Sequence, residues 1–516
     1  MRAVTIKFLV SFCFLFAVAA NAVHAQTRPN ILLIIADDLG LQLGGYGDQN
    51  IATPNIDSIG QQGMRFTKAF SVQASCSASR SSIYTGLYPH QNGQIGLSPP
   101  FSMSEPFPVL PTLLKQAGYR TGLIGKQHVA PDAAFDWDFV VADRDWVNWP
   151  YNTSDVSRVD QEVQQFIGEA QSASVPFFLQ LSLYDPHHWI DGACLDQVVG
   201  ILSVDELINP DTIAWNYFRD VPFPEDQREE AAHYYNGVKR LDIGVGMILD
   251  SLDNAGVFEN TLVIFTSDHS GTPPSIQGGK ADIRDAANHV PLLIRFPAVR
   301  TQPSAYGGLV SLIDLFPTIL EAAGDLPIPE PTASLMTDAR SLMPLISDNP
   351  DAYRLRPTVF TEMNYHDEGL YRPSRSIRTY AWHLIRYYPP FERGTDFVQL
   401  FDLRADPLEY NDLSGDPAYN ATKEFFLRRL ADWQHETGDP LLGCDVDNAS
   451  NCIVGTAGDD DLLGTQEMDT IFGFGGNDTL NGRFGNDRLY GGDGDDTLLG
   501  GPDDDILSGG EGTDYF

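Results

Sequence analysis

Residues 30–38 read Asn-Ile-Leu-Leu-Ile-Ile-Ala-Asp-Asp, an unbroken apolar run that ends in Asp37 and Asp38. A run of this length without polar alternation is typical of a strand buried on both faces of a parallel sheet. Three later apolar runs, residues 121–125, 176–184 and 261–267, also end in polar side chains. The polar residues that follow them are Lys126 and His128, then Asp185, His187 and His188, and finally Asp268 and His269.

The order of these runs predicts an α/β fold. Helical spacing over residues 227–252 separates the third run from the fourth. This alternation of strand and helix favours a mostly parallel sheet sandwiched by helices. Ligands of open α/β sheets bind beyond the carboxyl ends of the strands. We therefore expect the polar residues to converge on one edge of the sheet and form a site, with only His188 left at the surface.

From about residue 350 the pattern changes to that of a smaller α+β subdomain, residues 350–452. Residues 358–363, 376–388 and 398–403 are typical of antiparallel strands, and residues 421–436 have the spacing of an amphipathic helix. Cys444 and Cys452 lie eight positions apart, which is compatible with a disulfide in an oxidising compartment. Cys194 has no evident partner and is expected to be structural or free.

The tail, residues 453–516, repeats with a period of nine. Seven units fit residues 454–516 without a gap, each with Gly second, Asp sixth or seventh and an apolar residue ninth. This period resembles the RTX nonapeptide, a parallel β-roll whose turns bind several Ca²⁺ ions. Glycine permits the tight turns, and aspartates supply the oxygen ligands that Ca²⁺ prefers. The first two units are degenerate, so they are expected to bind more weakly or to cap the stack.

The composition is that of a globular protein, with 42% hydrophobic and 20% charged residues and a net charge of −37. So acidic a surface repels nucleic acid, which excludes a nucleic-acid partner. Residues 1–25 combine a basic start, a thirteen-residue apolar run and small residues before Gln26, the pattern of a signal peptide. No segment is long enough for an integral membrane span. We expect a periplasmic, secreted or cell-surface protein whose catalytic α/β domain is residues 26–349.

The segment Cys76-Ser-Ala-Ser-Arg80 resembles the C-x-P/A-x-R signature of the sulfatases, in which the cysteine is oxidised to formylglycine. Residues 36–38, 125–126, 185–187, 266–269 and 278–280 follow in the order of that family, and the likeness covers roughly residues 28–445. Within the family, the segments most similar to the heparan N-sulfatase (N-sulfoglucosamine sulfohydrolase) branch are residues 51–57, 90–97, 116–129, 242–257, 261–268 and 433–440. The resemblance implies an alkaline-phosphatase-like fold and a sulfuric ester hydrolase.

The residue types fit this chemistry independently of the likeness. Cys76 would begin a helix, whose N-terminus binds anions, and Arg80 would lie one turn further on the same face. The resemblance implies that a formylglycine made from Cys76 attacks sulfur beside a Ca²⁺ ion. The ligands implied for this ion are Asp37, Asp38, residue 76, Asp268 and His269. The other implied roles are Arg80 and Lys126 holding the diol and sulfate oxygens, His128 as the base that promotes sulfate elimination, and His187 and Lys280 binding sulfate and protonating the leaving group.

Each of these residues also has a structural alternative. These are a buried thiol for Cys76, a helix cap or turn for Asp37 and Asp38, satisfied core histidines for His128 and His187, and a solvated side chain for Lys280. Three departures from the family pattern are Ala78 in place of the commoner proline, His269 where many members have Asn, and Lys280 where the heparan N-sulfatase branch has Arg. His269 and Lys280 weaken transfer of the N-sulfoglucosamine substrate, though not of sulfatase chemistry, whereas Ala78 bears on which maturase converts Cys76.

The expected partners are a sulfated glycan substrate and a formylglycine-generating maturase. Heparan-type N-sulfoglucosamine is the leading substrate, with other sulfated polysaccharides as alternatives. A phosphonate or phosphodiester hydrolase of the same superfamily is a second interpretation. A non-catalytic, Ca²⁺-dependent glycan-binding protein, in which Cys76 stays a thiol, is a third.

Overall fold

The computed structural model describes residues 28–516 except 100, 105–106, 143–154, 188–206, 214, 217–220, 223–224, 272–279, 301, 348, 367–370, 389–396, 444–451 and 456–457. The signal-peptide prediction and the predictions for His188, Cys194 and the Cys444–Cys452 disulfide therefore lie outside the described residues and side chains.

The largest sheet within these ranges has nine strands. They are β1 (Asn30–Ala36), β2 (Met64–Phe70), β3 (Arg120–Gly125), β4 (Phe139–Val141), β5 (Phe177–Leu183), β8 (Thr261–Ser267), β9 (His289–Arg295), β10 (Ser304–Tyr306) and β11 (Val310–Ser311), with a small separate hairpin of β6 (Trp215–Asn216) and β7 (Val221–Pro222). The order is β10-β2-β9-β8-β1-β5-β3-β4, and β11 also pairs with β2. Only β9 runs against its neighbours, so the sheet is mostly parallel, as predicted.

Helices cover both faces of this sheet. Successive residues of the apolar run 30–36 therefore point into two different cores, one on each side. Leu32 and Ile34 belong to one core with α1 (Pro54–Gln61), α5 (Val156–Ala173) and α6 (Arg228–Asn254), whereas Leu33 and Ile35 belong to the other with α2 (Cys76–Thr85), α4 (Leu110–Gln116) and α8 (Leu315–Ala322). The remaining α-helices of the described chain are α3 (Pro89–Asn92), α7 (Asp285–Asn288), α9 (Thr332–Leu335), α10 (Met343–Ile346) and α11 (Asn420–Thr437). The predicted α/β sandwich is confirmed.

A second, antiparallel sheet follows the large one. Its strands, in spatial order, are β12 (Val359–Tyr365), β13 (Tyr371–Arg378), β14 (Trp382–Tyr387) and β15 (Phe397–Asp402). Helix α11 packs on it through Trp433, whose ring stacks on Phe360 with centroids 4.8 Å apart. The single strand predicted over residues 376–388 is wrong: Thr379 turns the chain there, because its side-chain oxygen accepts the Trp382 N–H at 2.9 Å and its N–H donates to the Trp382 carbonyl at 2.8 Å.

The tail forms a parallel β-roll, as its repeat predicts. One sheet comprises β16 (Cys452–Val454), β18 (Thr470–Gly475), β20 (Arg488–Asp493) and β22 (Ile506–Glu511), and the other comprises β17 (Asp461–Leu463), β19 (Thr479–Asn481) and β21 (Thr497–Leu499). Neighbouring strands are 18 residues apart, so two nine-residue units make one coil. Ile471, Leu480, Leu489 and Leu498 fill the core between the sheets.

Candidate active site

The site lies beyond the carboxyl ends of four neighbouring strands, β8, β1, β5 and β3. Asp37 and Asp38 follow β1, Lys126 follows β3, and Asp268 follows β8. The structure therefore brings the strand-end residues to one edge, where the sheet topology leads us to expect a ligand. The sequence-predicted residues grouped here, through contacts or through the effect of their charges on each other's pKa, are Asp37, Asp38, Cys76, Arg80, Lys126, His128, His187, Asp268, His269 and Lys280.

Cys76 is the first residue of α2, a helix in which every residue is buried. Its Sγ lies 3.5 Å from Asp37 Oδ1 and 3.4 Å from His269 Nε2. Ser75 precedes it in an extended conformation, and the turn of the helix begins at the thiol. The free N–H groups of the first helical turn and the helix dipole therefore favour negative charge at residue 76. Residue 76 is therefore a favourable position for an anionic group.

Arg80 fixes the carboxylates around residue 76. Its Nε donates to Asp268 Oδ2 at 2.9 Å, and its Nη1 donates to Ser182 Oγ at 3.0 Å and to the Lys126 carbonyl at 3.2 Å. Arg80 Nη2 lies 3.8 Å from Asp37 Oδ1. Burial would lower the pKa of Arg80, but Asp268 and Asp37 raise it further, so the guanidinium is charged.

Two lysines neutralise the paired aspartates. Lys126 Nζ donates to Asp37 Oδ2 at 2.6 Å, and Lys280 Nζ donates to both oxygens of Asp38 at 3.2 and 3.3 Å. Burial would raise the pKa of each aspartate, but Lys126 for Asp37 and Lys280 for Asp38, with the surrounding cations, hold both pKa values well below their usual range. The pKa of Asp268 shifts in the opposite direction. Burial and the neighbouring Asp37 charge raise it, although the Arg80 guanidinium acts to lower it.

The donor atoms fit a divalent cation. Oxygens of Asp37 and Asp268 converge on Cys76 Sγ, and so do Asp38 and His269, with the donor atoms of each trio within 4.8 Å of one another. Three carboxylates make a hard oxygen set of the kind that Ca²⁺ and Mg²⁺ prefer, whereas the imidazole is a poorer ligand for Ca²⁺. His269 Nδ1 faces the Ser270 carbonyl at 3.3 Å, which leaves Nε2 toward Asp38.

Glycine 271 allows this arrangement. A Cβ atom at Gly271 would lie only 2.4 Å from the Asp38 Cβ, so no other residue fits without displacing that carboxylate. The Gly271 N–H also donates to the Asp38 carbonyl at 2.9 Å. The sequence did not lead us to predict a role for this glycine, although a Gly two residues after His269 was available as a signal.

Two histidines of the site, His128 and His187, are neutral in this environment, whereas His269 is charged because Asp268 and Asp38 outweigh burial and raise its pKa to about 9. Burial and the charges of Lys126 and Arg80 lower the pKa of His128 well below its ordinary value. Burial lowers the pKa of His187 to about 4, against the opposing effect of Asp38. His187 Nε2 lies 3.2 Å from Lys280 Nζ, so the charged ammonium can donate to the neutral imidazole. The proton of this pair therefore resides on Lys280.

Two further residues of the site were not predicted from the sequence. His366, from the loop after β12, reaches the site with its Nδ1 3.3 Å from Ser75 Oγ, and burial together with the Lys280 charge lowers its pKa to about 3. Arg240 of α6 clamps Asp185 through hydrogen bonds of 2.8 and 3.2 Å. A polar residue directly after a strand was the available signal for His366, but nothing local marked Arg240.

Three family models match this chain. The model of the family described as sulfatase matches residues 29–325, and the model described as N-sulphoglucosamine sulphohydrolase, C-terminal, matches residues 280–436. The RTX calcium-binding nonapeptide repeat matches residues 454–489 and 482–516.

Among similar proteins, N-sulphoglucosamine sulphohydrolase of Homo sapiens is 31% identical over 480 residues, which cover 81% of this chain and 92% of the relative. An ulvan-active sulfatase of Formosa agariphila is 26% identical over 449 residues, with 80% of this chain and 81% of the relative covered. The solved structure of a 2-O GAG sulfatase has a TM-score of 0.64 at 22% identity and covers 81% of this chain and 95% of its own, so it shares the fold.

Proposed function

The chain belongs to the sulfatase family, whose members hydrolyse sulfuric esters, and we propose that it is an exported enzyme that removes N-sulfate groups from heparan-type glycans. Its similarity along 81% of the chain to N-sulphoglucosamine sulphohydrolase supports this substrate. The match of residues 280–436 to the C-terminal model of that branch supports it as well. The ulvan-active relative keeps sulfate esters of other glycans as the alternative substrate class.

The observation that carries the proposal is the position of Cys76 at a buried helix N-terminus, with Asp37 Oδ1 at 3.5 Å and His269 Nε2 at 3.4 Å. When residue 76 is a formylglycine and a divalent cation is bound by Asp37, Asp38, Asp268 and His269, the hydrated aldehyde supplies the nucleophile and the cation supplies a Lewis acid. The α2 N-terminus favours the anionic form of residue 76 and of the sulfate group held there.

Three side chains are available to hold the sulfate oxygens. Lys126 contacts Asp37, and Lys280 contacts Asp38. Both ammonium groups remain charged, because the carboxylates outweigh burial and raise the pKa values of the lysines. Arg80 Nη2 makes no hydrogen bond to the described residues, so this donor retains the capacity to bind an oxygen of residue 76 or of the sulfate. Fixed cations of this kind stabilise charge that develops in the transition state without reorganising.

Proton transfers are assigned to two different pairs of residues. His128 is neutral and buried beside Lys126, so it can accept the proton of residue 76 when sulfate is eliminated. Lys280 carries a proton and lies 3.2 Å from His187 Nε2, so this pair can protonate the leaving nitrogen or oxygen. We assign catalysis to Cys76, Arg80, Lys126, His128, His187 and Lys280.

Export rests on residues 1–25, whose pattern is that of a signal peptide, and on the RTX repeats at the other end of the chain. No helix among the described residues is long and apolar enough to cross a membrane. We propose a periplasmic, secreted or cell-surface location, and a formylglycine-generating maturase as the partner that acts on Cys76.

The first experiment tests the nucleophile. The full chain is produced with and without a formylglycine-generating maturase, and the peptide containing residue 76 is labelled with an aldehyde-specific hydrazide. Labelling that depends on the maturase and disappears in Cys76→Ala supports the proposal. If the protein still releases sulfate from its substrate while residue 76 is an unmodified thiol, the assigned nucleophile is wrong.

The second experiment tests the substrate. Release of sulfate from N-sulfoglucosamine is compared with release from ulvan oligosaccharides and with hydrolysis of a phosphonate monoester, with Cys76→Ala as the blank. A higher kcat/KM on N-sulfoglucosamine supports the proposal. A preference for ulvan would replace the substrate, and a preference for the phosphonate would replace the reaction. Ca²⁺-dependent glycan binding without any hydrolysis would favour the non-catalytic interpretation.

A further inference from the structure

A cavity of about 240 Å³ lies between the second sheet and residues 281–284. Across the sheet its wall is a row of one residue from each strand, Met363, Ser374, Tyr387 and Phe397, which face each other in register. Drug-sized ligands occupy cavities of about 300 Å³ or more. The cavity is therefore sized for one sugar ring or one charged substituent, not for an oligosaccharide.

The cavity is lined by two guanidinium groups, those of Arg284 and Arg372. Arg284 Nη2 donates to Gln399 Oε1 at 3.3 Å, and the Tyr387 hydroxyl donates to the same oxygen at 3.1 Å. Arg284 Nε is buried and makes no hydrogen bond to the described residues. Arg284 therefore keeps a buried donor at the cavity that an acceptor oxygen of a ligand would satisfy.

One carboxylate, Asp282, also lines the cavity. Its Oδ1 accepts the backbone N–H of Arg284 at 2.9 Å, so it has a role in shaping the loop. The described lining thus carries two positive charges and one negative charge. The balance favours an anion, and Asp282 weakens the attraction.

The cavity lies next to the active site along the chain and across the sheet. Ala281, in its wall, directly follows Lys280, and the Ala281 N–H donates to the carbonyl of Ala74, two residues before Cys76, at 2.9 Å. On the other side, β12 carries Met363 in the cavity wall and is followed by His366 at the active site. The same two segments therefore border both sites.

Resting on the proposed function, we propose that this cavity binds a second anionic group of the same glycan, a sulfate or a carboxylate on the sugar next to the one that loses its sulfate. Arg284 and Arg372 would bind its oxygens, and planar guanidinium groups match the geometry of both anions. The cavity then selects charged glycan chains over isolated sulfated monosaccharides.

The test compares four substrates in the full chain: N-sulfoglucosamine alone, the same sugar linked to a neutral sugar, linked to a uronic acid, and linked to a sulfated neutral sugar. Arg372→Gln is expected to raise KM for the two charged disaccharides about 10–100-fold, the value of one or two charge-assisted hydrogen bonds. Its kinetics on the monosaccharide should not change. The uronic acid and the sulfated sugar distinguish carboxylate from sulfate as the preferred group.

Two further variants separate binding from folding. Asp282→Asn keeps the oxygen that accepts the Arg284 N–H but removes the opposing charge, so it should lower KM for the charged disaccharides, which structural damage would not do. Arg404→Gln, at an exposed arginine after β15 that pairs with Asp402, is the matched control and should behave as wild type. Equal effects of Arg372→Gln on all four substrates, or no preference of the wild type for charged disaccharides, would overturn the proposal.

A readout without catalysis keeps this test independent of the proposed function. Titration calorimetry of each charged disaccharide into Cys76→Ala and into Cys76→Ala/Arg372→Gln measures binding alone. Weaker binding in the double variant supports the cavity even in a protein that releases no sulfate. Equal binding in both proteins contradicts it.

Discussion

Phe472→Ala should uncouple the β-roll from the antiparallel part of the chain. Phe472 of β18 is 6% exposed and stacks on Tyr490 of β20 with ring centroids 5.1 Å apart. Both rings pack against Tyr388 and Leu441, which precede and follow the α11 region. This apolar cluster joins the Ca²⁺-binding repeats to the residues that back the second sheet.

The magnitude follows from the burial of that ring. Truncation of a buried Phe to Ala costs about 3–5 kcal/mol in a protein core. Because Tyr490 is only partly buried, we expect the lower end of this range, about 3 kcal/mol, in the free energy that couples the two parts. Buried aspartates with raised pKa values, among them Asp478 and Asp496, stack along the roll, so Ca²⁺ should stabilise the roll and, through Phe472, the antiparallel sheet.

Scanning calorimetry of the full chain, in millimolar Ca²⁺ and after chelation, measures this coupling. In the wild type, chelation should lower the melting temperature of the main transition as well as that of the roll. In Phe472→Ala the shift of the main transition should shrink to the part that comes from the cation proposed for the active site. Phe484→Ala, at a 53% exposed ring on the same roll, is the control. Identical shifts in the two variants would refute the reasoning.

Three other outcomes follow from the structure. Arg80→Gln should lose about 3–5 kcal/mol of unfolding free energy in urea, because Asp268 loses its buried partner at 2.9 Å; stability equal to wild type would contradict this. Burial raises the pKa of Asp242 to about 6, so the folded protein keeps a proton that the unfolded chain loses between about pH 4 and 6. Relative to Asp242→Asn, the wild type should therefore lose stability as the pH rises through that window, and the difference between the two proteins in a pH series of urea titrations isolates this effect from that of the other buried groups. Gly271→Ala should displace Asp38 and raise the Ca²⁺ concentration for half-maximal activity about 10–100-fold, and an unchanged value would exclude this role.

Most of the fold could be predicted because its signals are local. The run over residues 30–36 has no polar alternation, and each of its side chains is buried, so it could only belong to a covered sheet. The nine-residue period of the tail fixes the roll for the same reason. The failure at residues 376–388 came from a turn whose only mark is Thr379, an ordinary strand residue that stops the strand through its own side-chain hydrogen bond.

The site was predictable where its residues follow strands or sit inside a motif. Arg240 was not predicted as a site residue because it lies in the middle of a long helix. Only its hydrogen bonds to Asp185, visible in the structure, show that it holds this carboxylate. The cavity between the second sheet and residues 281–284 could not be predicted, because its wall depends on the register of four strands. That register places Met363 beside Ser374, and Ser374 beside Tyr387. Register comes from packing and turn geometry, so no short stretch of sequence encodes it.

The charges of the active site explain why a cation would affect binding as well as chemistry. Counted as ionised, Asp37, Asp38 and Asp268 carry three negative charges, and Arg80, Lys126, Lys280 and His269, whose pKa is raised to about 9, carry four positive charges, a sum of plus one. Without a cation, the Lys126 ammonium donates a hydrogen bond to Asp37 at 2.6 Å, and the Lys280 ammonium donates one to Asp38 at 3.2 Å. If these carboxylates instead bind a divalent cation, both ammonium groups can turn more of their hydrogen bonds to sulfate oxygens, and the site gains one net positive charge after His269 gives up its proton to become a ligand. Chelation should therefore raise KM for the sulfated glycan and lower kcat, whereas a cation that acts only on the reacting oxygen would leave KM unchanged.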